Sequence, residues 1–132
     1  MVLVDTSVFL DFLNKKDNTA VKKFNTVLEL KIPFGITGHI YQEILQGAAT
    51  KKDFDVLKDY LDTFTFYAPL DSRQTYAKAA QIYFDCRRKG LTIRSTIDCL
   101  IVQIVREHKL QLLHNDKDFD AIKTVVTDIK FL

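Results

Sequence analysis

Short apolar runs alternate along this chain with longer stretches in which apolar residues recur every three or four positions, a rhythm that predicts strands and helices in turn. Residues 1–4, Met-Val-Leu-Val, form the first run; Asp5 closes it, and residues 6–13 read as the opening turns of a helix. Residues 18–31 carry Val21, Phe24, Val27 and Leu28 at helical spacing, and Pro33 stops them. Residues 34–37 are short and β-like, with Thr37 a good N-cap for a helix running to about Gly47. Phe54, Leu57, Leu61 and Phe64 predict an amphipathic helix over residues 51–64, and residues 64–68 alternate as a strand ended by Pro69. A long helix follows over residues 71–89, with Tyr76, Ala79, Ala80, Tyr83 and Phe84 turned inward, Arg87-Arg88-Lys89 in its last turn and Gly90 beyond. Residues 95–108 are a further helix, 110–114 a strand, 117–122 a short helix and 124–127 a final strand. This alternation predicts a single α/β domain over residues 1–132, with a central, mostly parallel sheet of about five strands and helices on both faces.

Composition narrows the function classes. The 132 residues suit one domain without a linker, and 47% hydrophobic residues suffice for one well-packed core. Nineteen basic residues against 17 acidic ones leave a formal charge of +2, too balanced for bulk attraction to a polyanion, so any nucleic-acid role must come from local patches. Cys86 and Cys99 lie in helix-like stretches without zinc-ligand spacing and read as reduced core thiols, as expected in a reducing cytoplasm. Asp5 and Asp11 interrupt the N-terminal apolar stretch, against a signal peptide, and no apolar run is long enough to span a membrane.

Four acids then draw attention. Asp5 sits at the C-terminal end of a buried strand, where open α/β sheets keep their active sites, although by itself this junction reads more readily as a helix N-cap. On the helix from Ser95, residues Ile97, Leu100, Ile101, Ile104 and Val105 form the apolar stripe, and an advance of about 100° per residue puts Asp98 inside that arc. A buried carboxylate there is costly unless something positive meets it; the alternative is a first-turn acid favoured by the helix dipole. Glu43 flanks the face of Ile40, Ile44 and Leu45, where a solvated glutamate is the plainer explanation. Asp116 follows a strand by two residues, with Asp118 and Asp120 in alternation, and one of these caps the short helix. In a parallel sheet the strand C-termini share one edge, so such acids can converge from distant parts of the chain. A converged cluster persists at neutral pH only with raised pKa values or a bound hard cation, for which Mg²⁺ or Mn²⁺ is the natural occupant.

With those positions assembled, the chain resembles the PIN-domain ribonucleases, and among them the VapC-type toxins of toxin–antitoxin modules. The resemblance runs from Val4-Asp-Thr-Ser7 through Glu43 and Thr96-Ile-Asp-Cys-Leu-Ile101 to Asn115-Asp-Lys-Asp-Phe119. It implies a PIN-like three-layer fold, Mg²⁺- or Mn²⁺-dependent endonucleolytic cleavage of RNA, a homodimer, and inhibition by a small VapB-like antitoxin. It further implies that Asp5, Glu43, Asp98 and Asp116 are the catalytic, metal-binding acids, that Asp118 supports them, and that the hydroxyls of Thr6 and Ser7 orient the site. One departure stands out: His114 occupies a position where the family often has a small hydroxyl residue. It either points into the cleft or faces the core; the passive, core-facing role is expected.

Among the basic residues, Arg94, shortly before Asp98, is the best single candidate for contact with substrate phosphate. Phe9, Phe12, Phe54, Tyr60 and Phe64 serve core packing, and any left exposed would anchor an antitoxin or a second subunit. Two other acidic-pocket families fit poorly. A response-regulator receiver wants adjacent acids after its first strand, and a haloacid-dehalogenase-type phosphatase wants a second Asp where Ser7 stands. The competing class is a catalytically silent PIN fold that binds RNA or protein.

Overall fold

The computed structural model describes residues 1–132. Five strands, β1 (Val2–Val4), β2 (Phe34–Ile36), β3 (Thr65–Phe66), β4 (Gln111–Leu113) and β5 (Lys130–Phe131), form one sheet in the order β3-β2-β1-β4-β5. Every neighbouring pair is parallel, with Val4 opposite Leu113 and Leu3 opposite Gly35. The helices α1 (Thr6–Leu13), α2 (Thr19–Glu29), α3 (Gly38–Gln46), α4 (Lys51–Leu61), α5 (Ser72–Arg88), α6 (Thr96–Glu107) and α7 (Lys117–Lys123) make the crossovers. Because helices cover both faces, the central strand can be apolar throughout: Val2, Leu3 and Val4 are all buried. They belong to one continuous core with Phe9, Phe24, Ile36, Ile101, Leu112 and Phe119. No helix is long and apolar enough to cross a membrane.

Starts of helices are set by side chains that accept the orphaned backbone N–H groups of the first turn. Asn18, Thr37, Thr50, Asp71 and Ser95 do so for α2 to α6, and Asp5 and Asp116 do so for α1 and α7. Cys86 and Cys99 are free and buried. Desolvation raises both thiols, Cys99 to about 12, so they are inert core residues at neutral pH.

Two expectations are corrected. The inward face of α5 is Thr75, Ala79, Ile82 and Cys86, whereas Tyr76, Ala80 and Phe84 are exposed and Tyr83 is half-buried. Small side chains on the inner stripe let α5 approach α6 closely, and the Thr75 hydroxyl donates to Glu107 of α6, so polar partnership and size outrank hydrophobicity. Outside, the Arg87 and Arg88 guanidinium groups lie over the Tyr83 and Phe84 rings at 5.9 and 5.7 Å. The last strand is not residues 124–127 but Lys130–Phe131. A strand parallel to β4 must start at the same end of the sheet as β4, and residues 124–127 are spent returning the chain there; the N–H groups of Val125 and Val126 both bond to Ile122.

The sheet reverses its winding direction between β1 and β4. From β1 the chain builds outward through β2 and β3, then crosses back to lay β4 and β5 on the other side. In open α/β sheets the ligand-binding crevice lies beyond the strand C-termini at such a switch point. On the first side, Gly35 lets β2 sit tightly against its neighbour: an added Cβ would collide with the Thr65 carbonyl oxygen and the Tyr67 ring. Gly35→Ala is therefore expected to lower stability by about 1–3 kcal/mol, read as a fall in the urea midpoint at unchanged slope.

Candidate active site

At the end of β1 the Asp5 backbone N–H donates to Leu113 of β4 at 3.0 Å, which joins the two strands on either side of the switch point. The carboxylate that follows has two roles at once. Its Oδ2 accepts from the Ser7 N–H at 3.1 Å and the Ser7 hydroxyl at 2.7 Å, so Asp5 is the N-cap of α1. It is also only 6% exposed, and burial, reinforced by the charge of Glu43, holds its pKa above the ordinary range despite the Ser7 bonds. The cap and the functional acid are the same residue.

Neighbouring hydroxyls tie the junction to other elements. Thr6 Oγ1 donates to Glu43 Oε2 at 2.6 Å, which draws α3 toward α1 and aims the glutamate at the crevice. Ser7 Oγ, while donating to Asp5, accepts from the Asn115 N–H at 3.0 Å. Asn115 is fixed a second time by its side-chain amide, which donates to Asp11 Oδ2 at 3.0 Å, and the same oxygen accepts from Asn18 at 2.9 Å. The Asn115 bond is the main cause that lowers the Asp11 pKa. Neither Asp11 nor Asn115 is among the site residues expected from sequence; the available sign is a carboxylate within the apolar residues 8–13 of α1.

On the far side, Asp116 caps α7, accepting the Asp118 N–H on Oδ1 at 2.9 Å. Asp118, buried, accepts from the Arg94 N–H at 3.0 Å and from Arg94 Nε at 3.3 Å. Asp98 stands in the first turn of α6 and is half-buried. Burial first, then the charges of Asp5, Asp116, Asp118 and Glu43, push its pKa up to about 7. Asp98 therefore feels the charge of each of the other four acids named from the sequence.

Three of them come closest. Carboxylate oxygens of Asp98, Asp116 and Asp118 lie within 4.8 Å of one another; Asp5 and Glu43 stand outside this trio. Hard oxygen donors in mutual repulsion are a fitting set for a small divalent cation, and a poor one for a soft metal. Arg94 lies over the acids at the surface, its Nη2 3.0 Å from Asp116 Oδ1 and its side chain 70% exposed.

His114 takes the passive place. Its side chain is 9% exposed and lies against Phe119 and Phe131, with ring centroids 5.0 and 4.4 Å away. Nδ1 accepts the Asp116 N–H at 3.2 Å, so the proton of the neutral ring is on Nε2. Desolvation lowers its pKa and keeps it neutral. In place of a small hydroxyl, this imidazole props the turn that carries Asp116.

The order of these residues along the chain, and the sheet that gathers them, match a known pattern: the PIN domain model aligns with residues 2–125. The chain belongs to the PIN domain family. Within that family its kinship is with the VapC type. It is 29% identical over 126 residues, 95% of this chain and 93% of the relative, to a VapC ribonuclease of Mycobacterium bovis and to ribonuclease VapC11 of Mycobacterium tuberculosis. Among solved structures, this PIN domain superposes on VapBC-1 from nontypeable Haemophilus influenzae with a TM-score of 0.73 at 14% identity, covering 100% of this chain and 97% of that one. FitAcB from Neisseria gonorrhoeae gives 0.70 at 20% identity, covering 100% and 96%. At these identities the superpositions speak for the PIN fold.

Proposed function

We propose that this PIN domain is a metal-dependent endoribonuclease and the toxin member of a toxin–antitoxin pair. The observation that carries the reading is the convergence of Asp5, Glu43, Asp98, Asp116 and Asp118 on the switch-point crevice, where repulsion and burial push Asp98 to about 7. Asp98, Asp116 and Asp118 would hold Mg²⁺ or Mn²⁺, with Asp5 and Glu43 completing the acidic wall. An ion held there would supply Lewis-acid chemistry, activation of a water and polarisation of the phosphodiester.

The chain's own groups do the rest. Asp5 and Glu43, oriented by Ser7 and Thr6, would accept a proton from the attacking water. Asn115, held by Ser7 and Asp11, keeps the Asp116 turn in register with Asp5. Arg94 is the group for the substrate phosphate. An apolar groove of about 400 Å³ lined by Tyr76, Ala80, Tyr83, Ile97 and Leu100 supports a role for protein partners, a VapB-like antitoxin or a second copy of this chain. A reduced, cytoplasmic setting agrees with the free thiols.

The test is direct. Protein purified under denaturing conditions to remove any antitoxin, then refolded, is expected to cut single-stranded RNA with Mn²⁺ or Mg²⁺ and to stop with EDTA. RNA binding without cutting would favour the silent binding module instead.

A further inference from the structure

We propose that Arg94 is a resident cation of the acidic cleft, which a divalent ion displaces from Asp116 and which is thereby released to hold RNA phosphate. The inference rests on the nuclease reading above and adds a link between metal loading and substrate binding.

Contacts of the guanidinium define the competition. Nη2 reaches Asp116 Oδ1 at 3.0 Å, and Nε lies 3.3 Å from both oxygens of Asp118. These two carboxylates are members of the trio with Asp98 suited to a divalent cation. Arg94 therefore covers part of the same donor set. A divalent ion and a guanidinium on one pair of carboxylates repel each other, and the ion has the higher charge density. The guanidinium yields, since its pair with Asp116 is exposed and such pairs are weak.

Release of the side chain does not require release of the loop. The Arg94 backbone N–H has its own bond to Asp118 Oδ2 at 3.0 Å, and Asp118 is buried beneath it. The segment before α6, and with it Asp98, stays anchored while the side chain swings. An arginine freed beside a cation-loaded cleft presents a planar fork suited to a phosphate. Metal would then strengthen RNA binding beyond its own contacts, and RNA, by linkage, would strengthen metal binding.

The experiment compares wild type, Arg94→Gln and Arg94→Lys by calorimetric titration with Mn²⁺, and then by titration of a 2′-O-methyl oligoribonucleotide with and without Mn²⁺. Thermal unfolding is followed in parallel to verify that each variant is folded. Arg94→Gln is expected to bind Mn²⁺ about threefold more tightly, the scale of an exposed ion pair. It is also expected to lose most of the Mn²⁺-dependent gain in oligonucleotide affinity. Arg94→Lys, which keeps the charge, should bind Mn²⁺ near the wild-type value. Weaker Mn²⁺ binding by a folded Arg94→Gln would overturn the proposal and make Arg94 a structural clamp on Asp118. An unchanged Mn²⁺ affinity would overturn it too. Wild type that binds no Mn²⁺ at all would overturn the nuclease reading together with this inference, an outcome distinct from the other two.

Discussion

Asp98→Asn is expected to abolish RNA cleavage and yet to make the metal-free protein more stable at pH 8. On the proposed mechanism, removal of a carboxylate that would help hold the ion forfeits several kcal/mol of transition-state stabilisation, about a thousandfold in rate. Stability moves the other way. Asp98 has a folded-state pKa of about 7 against an ordinary 3.8, so below pH 4 it is protonated in both states and opposes nothing. Between pH 4 and 7 the unfolded chain ionises while the folded one resists, and folding stability drains away; above pH 7 the loss is complete. A shift from 3.8 to about 7 corresponds to about 4 kcal/mol, and screening by the water that reaches this half-buried group brings the expected gain for Asp98→Asn to about 2 kcal/mol. His114, with its lowered pKa, works in the opposite sense, losing stability as the pH falls below its ordinary 6.5, but equally in both proteins. The difference between the two urea midpoints in EDTA should therefore be small at pH 4, grow to pH 7 and level off. A variant that cuts RNA as fast as wild type, or is less stable at pH 8, would refute the role given to Asp98.

Mn²⁺ is expected to raise the melting temperature of wild type substantially and that of Asp116→Asn little. The cluster is repulsive when metal-free, and an ion that binds only the folded chain stabilises it by about 2.7 kcal/mol at a hundred times its dissociation constant. For a domain of this size that is a rise of roughly 10 °C. Asp116 offers one of the three convergent oxygens, so its amide should remove most of the shift. Na⁺ at equal ionic strength provides the comparison for bulk screening, and equal Mn²⁺ shifts in wild type and variant would place the ion elsewhere on the molecule.

Most of the architecture could be read from local patterns because local forces set it. Thr37 caps the helix it was expected to cap, and the 100° advance that put Asp98 among apolar neighbours describes a carboxylate that is half-buried beside Asp116 and Asp118. The misreadings arise where the deciding contact is distant. The inner face of α5 depends on what α6 presents, so Thr75 goes in and Tyr76 out. The position of β5 depends on the geometric need to return past α7, which no residue in 124–127 announces. Likewise the bond from Asn115 to Ser7 spans 108 residues, beyond any periodicity, and sequence alone could name Arg94 as basic without saying that it pairs with the acids it precedes.

The winding of the sheet has a consequence for biosynthesis. Asp5 is made well before β4, and β1 acquires that neighbour only when residues 111–113 have been made. Until then Ser7 has no Asn115 to receive and the trio of Asp98, Asp116 and Asp118 does not exist. A nascent chain, or one cut short anywhere before β4, therefore carries the first acid of the cleft without the cleft. On the nuclease reading proposed above, this order of assembly withholds the acidic trio until residues 116–118 have been made.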